Sequence, residues 1–150
     1  MPEASRIRVY VRTAAAFLGA GILSVAATSS AHQSKPASDA KAAALMTKPL
    51  TGIEGKDGLM LTVEYPPGGA SPAHRHDAHV FVYVLEGSIV MGVQGREPVT
   101  LGVGETFYEN PQDVHTVSKN ASSTKPAKFL VFMVKDSGKP TSKPVEHDHN

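Results

Sequence analysis

Residues 68–87 read GGASPAHRHDAHVFVYVLEG, a His-x-His pair that runs into an apolar stretch closed by a glycine. A strand turns alternate side chains to the same face, so His74 and His76 would aim both imidazoles into one pocket. A third histidine, His115, follows about 40 residues later, beyond a Gly-bounded hairpin. With that donor added, three ring nitrogens suffice to hold a metal ion. The same pair on a solvated loop would bond only to water, so the surrounding pattern has to decide between the two readings.

Outward from this stretch the chain is β-like. Short runs rich in Val, Ile, Phe, Tyr and Thr occur at 59–65 (LMLTVEY), 79–85 (HVFVYVL), 88–93 (SIVMGV), 98–101 (PVTL), 106–109 (TFYE), 115–118 (HTVS) and 129–134 (FLVFMV). Turn residues separate them: Glu86-Gly87, Gly95-Arg96-Glu97, Gly102 to Glu105 and Asn110-Pro111. Seven strands at this spacing indicate a sandwich or barrel rather than alternating α/β units. If Val80 faces inward, Val82 and Val84 follow it, while Phe81, Tyr83 and Leu85 pack on the other side. No helix is expected within 59–134; only Ala40 to Met46 has the material for a turn or two. The domain expected from this pattern spans 50–135, after a polar, Ala-rich linker at 32–49 and before a loosely attached tail at 136–150. That tail ends in a second His-x-His, His147 and His149, which reads as a solvated end without an assigned role.

Composition narrows the chemistry. The chain of 150 residues has room for one domain with a core, and it contains no cysteine, so any metal must rely on His, carboxylate or water. It carries 15 basic and 14 acidic residues; three of the basic and one of the acidic fall in 1–31, which leaves 12 and 13. So even a balance suggests neither a nucleic-acid partner nor a membrane surface. Residues 1–31 read as an export signal: Arg6, Arg8 and Arg12, then an apolar stretch from Thr13 to Ala27, then Ser29-Ser30-Ala31 as a small-residue cut site. An uncleaved anchor would need roughly 20 apolar residues, more than this stretch provides. The expected location is periplasmic or secreted, with no membrane attachment after cleavage. Cleavage after Ala31 would leave His32 at the new terminus, where the polar sequence around it supplies no fixed partner.

The stretch at 68–87, together with LGVGETFYENPQDVHTVSKN at 101–120, resembles the two signature motifs of the cupin superfamily. The resemblance covers roughly 50–135 and implies an all-β fold, a double-stranded β-helix (jelly-roll) barrel of the small, single-domain, conserved-barrel type. Gly68, His74, His76 and Gly87 match the first motif, and Gly104 and His115 match the second. Val80 stands where the family has its glutamate, Asn110 and Gln112 stand where it has Pro and Gly, and Asn120 lies one place beyond the pattern. The site implied is therefore three histidines, His74, His76 and His115, without the usual carboxylate. It resembles the three-histidine variants more than the oxalate oxidases of the germin branch. His79 is a further metal candidate if a bulge at Asp77-Ala78 re-aims it.

Three neutral imidazoles leave a divalent ion its full charge and open positions, which favours an anionic or bidentate oxygen ligand. Imidazole suits iron, zinc, nickel and copper, and manganese is also compatible with the resemblance, so the ligands alone do not name the metal. The function implied is an exported metal-binding cupin acting on, or binding, a small oxygenated or anionic molecule. Dioxygenase-like, hydrolase-like or isomerase-like chemistry would suit such a site; a non-catalytic periplasmic binding module and a bare scaffold are the competing readings. Glu64 is a candidate general base should its face of the strand be the interior, and Tyr108 is a second candidate catalytic group. Asp77 and Glu109, beside expected turns, read as solvated. Phe107, Tyr108, Met91, Met133 and Phe132 are candidate pocket-lining residues, and family members often form homodimers through their strands.

Overall fold

The computed structural model describes residues 40–145. The export signal, His32 and the pair His147 and His149 lie outside them. Among the described residues eleven strands run in order, all paired antiparallel: β1 (Lys41–Pro49), β2 (Lys56–Tyr65), β3 (Ala70–Ser71), β4 (His74–Arg75), β5 (Ala78–Glu86), β6 (Ile89–Val93), β7 (Val99–Leu101), β8 (Thr106–Glu109), β9 (Val114–Asn120), β10 (Ala127–Asp136) and β11 (Lys143–Pro144). One sheet is ordered β1-β2-β10-β5-β8 and the other β11-β4-β9-β6-β7, with β3 also pairing with β9.

Alternation along β5 and β10 explains why they lie centrally. Val80, Val82 and Val84 on β5, and Phe129, Val131 and Met133 on β10, are buried, while Phe81, Tyr83 and Leu85 face outward. Burying such a side chain contributes about 1.5–3 kcal/mol, so the two-residue period itself selects which face turns inward. Ile89 and Met91 from β6 meet this layer from the opposite sheet.

The motif glycines have a backbone reason. Gly87 adopts φ 69°, and a side chain there would place its Cβ 2.5 Å from the Pro126 carbonyl. Only glycine combines that conformation with so close an approach. Asn120, one place off the pattern, still holds its corner: its side-chain amide donates to the carbonyls of Pro66 and Lys125 and accepts from the Ser122 N–H.

The structure departs from the sequence reading at both ends of the domain. Residues 41–49 are neither linker nor helical turn but a nine-residue strand against β2, with a bulge between Ala44 and Met46. Their side chains are all exposed, so hydrophobic patterning is silent there; what orders them is the hydrogen-bonding edge of β2. Beyond Asp136 the chain returns, and Lys143–Pro144 pairs with His74–Arg75, pinned by an ion pair from Lys143 to Asp77. The tail is attached at least this far.

A histidine cluster and a buried carboxylate

His74 and His115 are directly opposite on β4 and β9, and His76 follows two residues after His74. The ring centroids of His74 lie 4.8 Å from those of His76 and 5.1 Å from those of His115. One nitrogen from each of the three rings falls within 4.8 Å of the other two.

Hydrogen bonds set the ring tautomers. His74 Nδ1 lies 2.8 Å from the Pro72 carbonyl and His76 Nδ1 lies 2.5 Å from the Thr141 carbonyl. A carbonyl only accepts, so both Nδ1 atoms carry the proton and, in neutral rings, both Nε2 atoms present lone pairs. Those two Nε2 atoms are 3.1 Å apart. Two lone pairs at that distance repel unless a cation lies between or beside them. Protonating His76 or His115 is disfavoured: burial holds His76 below the usual histidine range, and burial reinforced by His74 and His76 pushes His115 down to about 3.

Glu109 completes the corner, against the expectation that it is solvated. It is 2 % exposed at the end of β8, on the same side of that strand as the half-buried Phe107, whose ring stacks on His115 at 6.1 Å. Its Oε2 lies 3.2 Å from His115 Nδ1 and 4.0 Å from His76 Nε2, with no hydrogen-bond partner. Both nitrogens of His115 are equally unpartnered. The 3.2 Å contact lacks hydrogen-bond alignment, and with the ring neutral it is no ion pair. Burial, with a smaller contribution from the Asp113 charge, raises Glu109 to about 7. The turn that carries the chain from β8 in one sheet to β9 in the other explains how the two residues meet: the Asp113 carboxylate accepts from the Asn110 N–H at 2.9 Å, closing a tight turn in which Asn110 and Gln112 are tolerated.

The other candidates lie elsewhere. Glu64 is on the outer face of β2, half exposed and 2.7 Å from Lys128, because the inward set on that strand is Leu61, Val63 and Tyr65. The condition under which it would be a general base is not met. Tyr108 is 39 % exposed on the outer face of β8, where its hydroxyl bonds His79 Nδ1 at 2.7 Å. His79 keeps its outward parity, with no bulge to re-aim it. Of the expected lining residues, Met91 and Met133 border the cavity and Phe107 backs His115, whereas Tyr108 and Phe132 belong to the outer aromatic face.

His74, His76 and Glu109 open onto a cavity of about 250 Å³ between the sheets. Its walls are apolar, from Val82, Phe129, Val131 and Met133 among others, and Thr141 and Ser142 line it from the returning tail. Another part of its lining is polar and was not singled out from sequence: the Tyr65 hydroxyl bonds Ser71 and Ser118, each at 2.7 Å, and Ser118 in turn reaches the Met91 sulfur at 3.6 Å. Tyr65 ends the LMLTVEY run, so its parity with Leu61 and Val63 was the available signal.

An antiparallel jelly-roll barrel with histidines converging at its interior defines the class of small β-barrel ligand- and metal-binding domains. Residues 61–133 match the family model described as the cupin domain, and the chain belongs to the cupin superfamily through this one conserved-barrel domain. Solved structures agree on the fold. A cupin 2 conserved barrel domain protein from Rhodopseudomonas palustris is 18% identical, with a TM-score of 0.59 over 77% of this chain and 73% of its own. A cupin-2 domain protein from Rhodospirillum rubrum is also 18% identical, with a TM-score of 0.58 over 75% and 70%. An oxalate oxidase in complex with the substrate analogue glycolate is 24% identical, with a TM-score of 0.56 over 72% of this chain and 56% of its own. No curated protein matches the chain significantly.

Proposed function

We propose that this chain is an exported metal-dependent cupin that holds one divalent ion on His74, His76 and His115 and takes a small, anionic, oxygen-bearing molecule into the adjoining cavity. The observation that carries the reading is the pair of Nε2 lone pairs facing each other at 3.1 Å, with their tautomers set by backbone carbonyls on the far side of each ring. Outer hydrogen bonds of this kind are how proteins orient histidines toward a metal. The unpartnered nitrogens of buried His115 fit the same role. With no thiol in the chain, iron, zinc, manganese, nickel and copper all suit such donors.

A bound divalent ion would supply positive charge that polarises a substrate oxygen or activates water. The chain's own part is selection and shielding. A cavity of about 250 Å³ is smaller than the roughly 300–1,000 Å³ of drug-sized pockets, so it admits a molecule of few heavy atoms. Val82, Phe129, Val131 and Met133 give it apolar walls, and the Tyr65–Ser71–Ser118 hydroxyls offer a polar anchor. The glycolate held by the oxalate oxidase is a ligand of this size and chemistry.

Metal analysis of untagged protein tests the reading, with about one ion per chain expected and none in His76→Ala; absence of metal from the wild type overturns it. Oxygen uptake and product analysis over small hydroxy acids, keto acids, diketones, phenolic acids and thiols then separate the outcomes. Turnover identifies an enzyme; a retained ion with no turnover identifies a binding module. Export rests on the Arg-led apolar segment, and the mature protein recovered from the periplasm or medium is expected to begin at His32. Retention of residues 1–31 overturns that part. Homodimer formation belongs to the same proposal, supported by the open edge of β1 with Leu45 and Met46 exposed. Sedimentation of Leu45→Lys beside the wild type tests it, and a monomeric wild type overturns it.

A further inference from the structure

Glu109 belongs to neither motif match, and the three-histidine reading leaves it unused. Its side chain is buried, its Oε2 is unpartnered, and it faces the histidines from a different strand. Along the β5–β8 pair Glu109 stands directly opposite Val80. Side chains opposite each other on antiparallel strands have Cβ atoms about 4.5–5.5 Å apart. A carboxylate leaving β8 at 109 therefore arrives at the corner that a carboxylate leaving β5 at 80 would have reached.

Two of the distances suit a shared ion, and a turn of the Glu109 carboxylate would complete the set, because as placed only the three histidines lie within 4.8 Å of one another. Donors held at about 2.1 Å around one centre sit roughly 3.0 to 4.2 Å from each other, from right-angled to opposite placement. His74 Nε2 and His76 Nε2 are 3.1 Å apart, and Glu109 Oε2 is 4.0 Å from His76 Nε2. A hydrogen bond to His115 does not explain the carboxylate, because both partners of that 3.2 Å contact are left unsatisfied. A buried polar atom without a partner is costly unless something absent from the bare chain pairs with it.

Resting on the metal reading above, we infer that Glu109 is the fourth protein ligand, restoring from β8 the carboxylate that Val80 removes from β5. The set is then three histidines and one carboxylate, and a divalent ion bound there keeps one net positive charge instead of two. A monoanion neutralises it, which narrows the ligand class to small monocarboxylates, enolates and similar singly charged oxygen donors.

Metal-free, full-length protein titrated with Zn(II) against a chromophoric chelator tests this without reference to turnover. Wild type binds one ion, His76→Ala binds none, and Glu109→Gln binds one ion more weakly, by more than the roughly 10–100-fold that follows loss of an outer partner. The double variant Val80→Glu/Glu109→Val recovers tighter binding than Glu109→Val alone. Equal affinity of wild type and Glu109→Gln overturns the inference and leaves the three-histidine site standing; a wild type that binds nothing overturns both. A double variant as weak as Glu109→Val assigns the loss to packing and also overturns it. If Glu109→Gln does not fold, infrared difference spectra of loaded minus metal-free wild type decide: a shifted carboxylate band is expected, and an unchanged carboxylate region overturns the inference.

Discussion

Glu109 and Glu64 lie in the same sheet, one on β8 and one on β2, and their surroundings are opposite. Glu64 points outward, half exposed, and its charge is met by Lys128, whose hydrogen bond and charge, with a smaller contribution from Lys41, hold its carboxyl below the usual range. Glu109 points inward, is met by neutral imidazoles and apolar side chains, and is pushed up instead. The histidines divide in the same way: His115 is buried in the cluster, whereas His79 stacks on Tyr108 at the outer face. Two residues of one type thus acquire unrelated chemistry from a single structural variable, the side of the sheet on which alternation leaves them.

The sharpest way to break this comparison is at the histidines. His115→Ala is expected to abolish metal retention while His79→Ala retains about one ion per chain, measured by elemental analysis; loss of the ion from His79→Ala would erase the division between faces. The carboxylates come next, through the pH dependence of the metal-free protein. Because Glu109 is raised from 4.5 to about 7 in the folded state, its contribution to stability is full below pH 4.5 and is lost as pH rises through about 7, a change on the order of 3 kcal/mol. His115 runs the other way: lowered from 6.5 to about 3, it contributes above pH 6.5 and that contribution is lost as pH falls toward 3. Between pH 4.5 and 6.5 the two therefore nearly cancel in the metal-free wild type, whereas thermal melts of Glu109→Gln should lose that offset and fall steadily as pH drops below 6.5, and Glu64→Gln should keep the wild-type profile.

A smaller effect is expected at the returning tail. Truncation after Lys139 removes the Thr141 carbonyl that orients His76, and should weaken metal affinity about 10–100-fold while the barrel still melts cooperatively. The smallest contrast pairs two tyrosines. Tyr65→Phe breaks the buried hydroxyl network and should cost about 1 kcal/mol, whereas Tyr108→Phe, on the outer face, should stay within roughly 0.5 kcal/mol. Denaturant melts at one pH resolve the two.

Parity made much of this legible from sequence. The β5 alternation placed Val80, Val82 and Val84 inside, and the His-x-His spacing brought both rings into one cluster even though β4 ends at Arg75, one residue before His76. The same rule applied to TFYE would have put Glu109 beside Phe107; its nearness to the turn obscured that. Strand β1 was illegible for a different reason. Its order comes from backbone pairing with β2, and exposed Ala-rich residues carry no trace of that in their hydropathy. The returning tail was hidden likewise, since Thr141 acts through its carbonyl, a group every residue has.

His74 faces His115 across β4 and β9, and Glu109 faces Val80 across β5 and β8. A slip of one residue in either pairing would turn the donors on the slipped strand to the opposite face. Tight loading with an ion is thus a certificate of correct strand alignment, and a cation present while the chain folds would proofread the barrel by stabilising the one register that can grip it.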